Sequence, residues 1–138
     1  MALGRQMHPL SDDELRKANI NPKQFRADRA VMVIVIMNYG GFVDETTLRA
    51  WGIDPDSPKI LWVPEQGAPI FQFDNRQLRD IVGEINELLD AQGDPSGVCD
   101  FWFMANYLAS NQLPVELLLH GQHALLIDLA KADLPLDD

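Results

Sequence analysis

The segment Gly67-Ala68-Pro69-Ile70-Phe71-Gln72-Phe73-Asp74 constrains the fold more than any other, because an alternating apolar run passes there, without a linker, into an acidic amphipathic stretch. In an extended chain Pro69, Phe71 and Phe73 fall on one side and Ile70, Gln72 and Asp74 on the other, the period of two of a half-buried strand. Asp74 then has the chemistry of a helix N-cap, with Gln77 placed to complete a capping box. Onward to Ala91, Leu78, Ile81, Val82, Ile85, Leu88 and Leu89 recur at helical steps, with Asp80, Glu84, Glu87 and Asp90 mostly opposite. The join separates a mixed unit, residues 1–66, from a helical one, residues 67–138, and Phe71 and Phe73 are the expected core pins between them.

Upstream, Ser11-Asp12-Asp13-Glu14 has capping-box spacing and opens a short polar helix ending near Asn19. Asn21-Pro22 starts a second one: Asn21 caps, Pro22 fits the first helical position, and the pattern runs through Val31–Met37 to Gly40-Gly41. The β-branched residues of that run favour a strand, whereas the caps at both ends favour a helix. As a helix it is apolar nearly all round and is expected to be the central buried element. Phe42 to Ile53 reads as a short amphipathic helix closed by Gly52, with Leu48, Trp51 and Ile53 facing the core. After the turn Asp54–Pro58, Lys59–Val63 and the Gly67–Phe73 run form an expected β-hairpin.

Downstream, Val98 to Ala109 reads as one helix carrying Phe101, Trp102, Phe103, Met104, Tyr107 and Leu108. The Phe-Trp-Phe-Met run cannot face one way, so part of it must meet another element or another chain. Pro114 opens a further helix, and Gly121 separates it from the last one, through Ala124 and Ala130. The expected fold is mainly α: a helical domain with one small β-hairpin inserted between an N-terminal helical lead-in and a C-terminal helical half.

Charge separates the same halves. Residues 1–43 hold six Lys/Arg and four Asp/Glu, net +2, whereas residues 44–138 hold five and seventeen, net −12, which together give −10. Duplex DNA would be repelled by the second half, and a basic or neutral protein partner suits it better. The longest apolar run, Val31–Met37, is far short of the roughly 20 residues of a membrane span. No apolar signal core follows Arg5, and Cys99 is the lone cysteine, so a soluble cytoplasmic protein is expected.

Chemistry-bearing patterns are sparse. His120 and His123 have helical spacing but lack the further ligand that zinc requires. Cys99 has no local signature of a nucleophile and reads as a small core residue. The carboxylates between Asp80 and Asp90 make a solvated helix face, and no phosphate-binding glycine pattern occurs. Neither catalysis, a metal nor a cofactor is expected.

Ala68-Pro69-Ile70-Phe71-Gln72-Phe73-Asp74 followed by an amphipathic helix, then Phe101-Trp102-Phe103, then Gln112-Leu113-Pro114-Val115-Glu116-Leu117-Leu118 and a closing helix resemble the toxin-binding domain of Xre/MbcA/ParS-type antitoxins. The likeness covers roughly residues 20–132. It implies a dimer-forming helical antitoxin that docks on a RES-type toxin, a class that destroys NAD, and covers its active site. The C-terminal end is the implied blocking element, and the implied partner-binding residues are Trp102, Glu116, Leu129, Lys131, Asp133, Leu134 and Leu136. Related chains carry a Gly-Arg-like pair where this one has Asn111-Gln112-Leu113. Family members often bind DNA through a helix-turn-helix, so a transcriptional regulator is the alternative, with Val43–Ile53 as first helix and the 59–73 hairpin as wing. Asp54–Pro58, where a recognition helix would begin, holds two prolines and no basic residue.

Overall fold

The computed structural model describes residues 11–134, leaving aside the side chains of residues 25–27. Seven α-helices and four two-residue strands occur among them. Helices α1 (Asp12–Lys17) and α2 (Pro22–Met37) begin where their caps place them: Ser11 and Glu14 form a complete capping box, and Asn21 accepts from the Gln24 amide ahead of Pro22. The β-branched run is therefore helical, its propensity cost overridden by caps and packing. No helix among the described residues is long and apolar enough to cross a membrane.

The Phe42–Ile53 segment divides. Phe42–Val43 is strand β1, Asp44 caps by accepting from the Thr47 amide, and α3 covers only Glu45–Ala50. Strand β1 pairs antiparallel with β2 (Ala68–Pro69). At Gly67, φ is +122° and a Cβ would stand 2.6 Å from the Val43 carbonyl oxygen, so glycine is required where the chain enters β2.

The expected 59–73 hairpin is not a continuous ladder. Val63 and Gly67 form a single bridge, and Ile70–Gln72 coils into a 3-10 turn instead of staying extended. That turn swings the Gln72 side chain inward. Its amide takes the place of a partner strand for Leu61, accepting from the Leu61 N–H at 2.8 Å and donating to the Leu61 carbonyl at 3.0 Å. Asp74 is not an N-cap either: β3 (Phe73–Asp74) pairs with β4 (Gln77–Leu78) across Asn75-Arg76, both at positive φ as a tight hairpin turn needs. Helix α4 consequently starts later, at Asp80, and runs to Leu88.

Helix α5 (Pro95–Phe103) is capped by Asp94 and stops short of the expected Ala109; a 3-10 turn, Tyr107–Ala109, follows. Helices α6 (Pro114–Leu119) and α7 (His123–Ala132) lie as Pro114 and Gly121 lead one to expect.

One main core gathers Ile36, Leu61, Val63 and Phe71 with Val82, Ile85, Trp102, Val115, Leu126 and Leu129, so residues on both sides of the 66/67 boundary share it. A smaller cluster holds Val43, Leu48, Ile60, Trp62, Ala68 and Phe73, with Trp51 and Ile53 against it. The two pins thus divide their work: Phe71 packs on Trp102 and Phe103, at 5.0 and 5.2 Å between ring centroids, and Phe73 edges onto Trp51 at 5.6 Å. The aromatic run of α5 is satisfied within the chain, since Phe101, Trp102 and Phe103 are all buried and Met104 alone is exposed.

Helix α2 is the main departure in packing. Only Ile36 is buried outright in its apolar run, while Val31, Ile34 and Met37 are 61, 63 and 58 % exposed. It lies on the outside of the molecule.

A candidate partner-binding groove between α5 and α7

Where α5 ends, the Met104 backbone turns extended, and Asn106 caps the following 3-10 turn by accepting from the Leu108 amide at 2.9 Å. Ser110 and Asn111 then reverse the chain at positive φ, and Asn106 bridges to Gln112. This excursion faces the last turns of α7 across a cavity of about 370 Å³, whose walls include Asp100, Met104, Tyr107, Leu108, Leu129 and Asp133. Tyr107 is 81 % exposed, and Met104 and Leu108 are more than half exposed. Large apolar side chains therefore stand in solvent around one concave surface, which makes it a candidate contact site.

The groove is electrostatically one-sided. Burial holds the Asp100 carboxyl above its ordinary value, and the Asp94, Asp28 and Asp133 charges push it the same way. Asp133 is raised by burial first and by Asp94 second. Asp100 and Asp133 both reach solvent, so these effects are moderated by screening. A cation entering the groove would relieve the repulsion.

The residues implied by resemblance scatter. Leu129 forms part of the groove and is itself buried, and Asp133 stands at the rim. Lys131 is exposed on the same helix without lining the cavity, and half-buried Leu134 follows it. Leu136 lies outside the described residues. Trp102 is 0 % exposed and donates its indole N–H to Asn86 Oδ1 at 2.9 Å, so it is a core residue with no surface for a partner. Glu116 is on α6, away from the groove lining, and accepts from the Tyr39 hydroxyl at 2.5 Å.

Asp100 and Leu108 were not singled out from sequence as contact residues, whereas Tyr107 was one of the aromatics that could anchor an interface and Met104 belonged to the run that must meet another element or another chain; a helix continued to Ala109 left their placement open. The signal that would expose them is the Asn106…Ser110-Asn111 cluster, residues that favour turns.

The reactive side chains have structural settings. Cys99 is buried and its thiol is pushed up to about 12, mainly by that burial, which suppresses the nucleophilic thiolate. His120 follows α6 and His123 begins α7, so they do not share one helix face. No group of three or more His, Cys, Asp or Glu among the described residues could hold a metal ion. Gln72, Asn86 and Trp102 form the main buried polar network: Asn86 donates to Gln72 Oε1 and to the Lys59 carbonyl, both at 2.9 Å, and Gln72 also donates to the Pro69 carbonyl. With its members engaged, this network is scaffold. A wider hollow of about 620 Å³ beside α4 is lined largely by polar groups, among them Arg79, Asp80 and Glu84. Helix α3 is followed by turns, and no further α-helix occurs before β2 among the described residues, so the recognition helix of a helix-turn-helix is not found there.

No family model, curated protein or solved structure matches the chain.

Proposed function

We propose that this protein is an antitoxin-like binding protein that engages a RES-type toxin enzyme through the α5–α7 groove and covers its active site. The observation that carries the reading is the coincidence, on one concave surface, of exposed Tyr107, Met104 and Leu108 with the Asp100 and Asp133 carboxylates. Tyrosine is a favoured interface anchor because it buries a large rigid face at low entropic cost and keeps a polar tip. The carboxylates select a partner that offers Lys or Arg and speed the encounter electrostatically. The antitoxin form of the reading draws on the residue strings around Phe71 and Pro114, and the net −12 of residues 44–138 suits a basic protein surface. The suppressed Cys99 thiolate favours binding over catalysis.

Co-expression with the product of the neighbouring reading frame tests this. That product should arrest growth when expressed alone and be neutralised by the intact chain, and the Tyr107→Ala/Asp133→Lys variant should lose neutralisation while remaining folded. A neighbour that is harmless alone, or one neutralised equally by the variant, would reject the reading.

A further inference from the structure

We infer that the α5–α7 groove receives an arginine side chain of its protein partner, with the guanidinium against the Asp100 and Asp133 carboxylates and the stem along Tyr107. The inference rests on the groove being the partner-binding face and names what that face selects. Three pieces of the fold build it: α5 and its C-cap contribute Asp100 and Met104, the 3-10 turn contributes Tyr107 and Leu108, and α7 and its C-cap contribute Leu129 and Asp133. Apolar surface and negative charge thus share one concavity, which suits a side chain with an apolar stem and a cationic head. No Lys or Arg among the described residues lines it. The matching charge must come from outside.

The surrounding charges act in the same direction. Asp94 at the start of α5 and Asp28 on α2 add negative potential at Asp100, and Asp94 adds it at Asp133. Cations on the packed elements do not line the cavity to offset it: Arg29 on α2 donates to the Pro64 carbonyl at 2.8 Å and pairs with Glu65, and Lys131 on α7, like exposed Asp128, lies outside the lining. Arginine suits the groove better than lysine. Its planar fork has enough donors to engage two carboxylates at once, it sheds water more readily than an ammonium, and it stacks on an aromatic face such as the exposed Tyr107 ring. Docking is then linked to protons. The free groove holds both carboxyls above the ordinary 3.8, and a guanidinium beside them draws them down, so docking releases protons and tightens as pH rises through the window above 3.8.

The probe is the acetylated tripeptide amide Leu-Arg-Leu, titrated into the isotope-labelled full chain and followed by backbone amide NMR, with lysine and the neutral isostere citrulline as central residues for comparison. Shifts should concentrate at Asp100, Met104, Tyr107 and Asp133, and the arginine peptide should bind about tenfold tighter than the citrulline one, with lysine between them. Asp100→Asn and Asp133→Asn should each weaken the arginine peptide several-fold and flatten its pH dependence, while leaving the rest of the spectrum unchanged. Equal binding of the citrulline peptide, tighter binding of the lysine peptide, affinity unaltered in both variants, or shifts spread evenly over other acidic faces such as Asp80–Asp90 would each overturn the inference. The toxin reading is tested apart from it. Neutralisation that depends on the groove without arginine selectivity would reject this inference alone, and selective arginine binding by a chain that neutralises nothing would reject the toxin reading alone.

Discussion

Gln72 shows how much one side chain can decide. Its two amide hydrogens and its oxygen serve four partners, the Leu61 N–H, the Leu61 and Pro69 carbonyls and the Asn86 amide, in the buried region between the join and α4. Gln72→Ala strands these groups away from water, and each unsatisfied buried group costs about 1–3 kcal/mol. Relaxation recovers part of that, so an overall loss of about 3–5 kcal/mol is expected in denaturant unfolding at constant m-value. A loss below about 1 kcal/mol would mean that the network is dispensable. Asp100 acts in the opposite sense. Its folded-state pKa lies above the ordinary 3.8, so the folded chain holds this proton more tightly than the unfolded one. Stability from this group is therefore highest at acid pH and declines as pH rises through the window above 3.8. Asp100→Asn should raise the melting temperature at neutral pH by about 1–2 °C, a gain that fades on acidification, as melts across a pH series would show.

At the scale of elements, what the sequence made readable was local. Ser11, Asn21-Pro22 and Pro114 mark helix starts through short-range hydrogen bonding and fixed φ, which need no tertiary information. The early end of α5 and the coil at Ile70–Gln72 were hidden because each is settled by long-range partners: period two was present around Phe71, but a side-chain amide replaced the backbone ladder. The exposure of α2 was hidden for another reason, since an apolar helix ordinarily reads as buried, and Val31, Ile34 and Met37 are nonetheless exposed. The groove was hidden for a related reason, since its walls take shape only because α5 ends at Phe103 and the Tyr107–Ala109 turn faces α7. One inter-element tie is testable directly. Tyr39 joins the end of α2 to Glu116 on α6, and burial, with Glu116 beside it, holds its phenol up to about 12. Because the folded pKa is raised, the unfolded tyrosine ionises first, so this contribution is full below pH 10.0 and is lost as pH rises toward 12. Tyr39→Phe should cost about 1–2 kcal/mol at neutral pH and abolish the most alkaline step of the phenolate absorbance titration.

Over the whole molecule, the fold places two different surfaces on opposite chemical footings. The α2 stripe is apolar within residues 1–43, net +2, and the α5–α7 groove is apolar within residues 44–138, net −12, which suits the groove to a basic partner. Salt reads this charge directly: partner binding at the groove should weaken steeply as ionic strength rises. Titration calorimetry at two salt concentrations would check this. The central claim is occlusion of a toxin enzyme through the groove, and the most direct measurement is the rate at which the purified neighbouring gene product consumes NAD as this protein is titrated in. The expected result is loss of NAD consumption in proportion to added wild-type chain, with activity retained when Tyr107→Ala/Asp133→Lys is added instead; undiminished consumption with the wild-type chain, or equal inhibition by the variant, would contradict it.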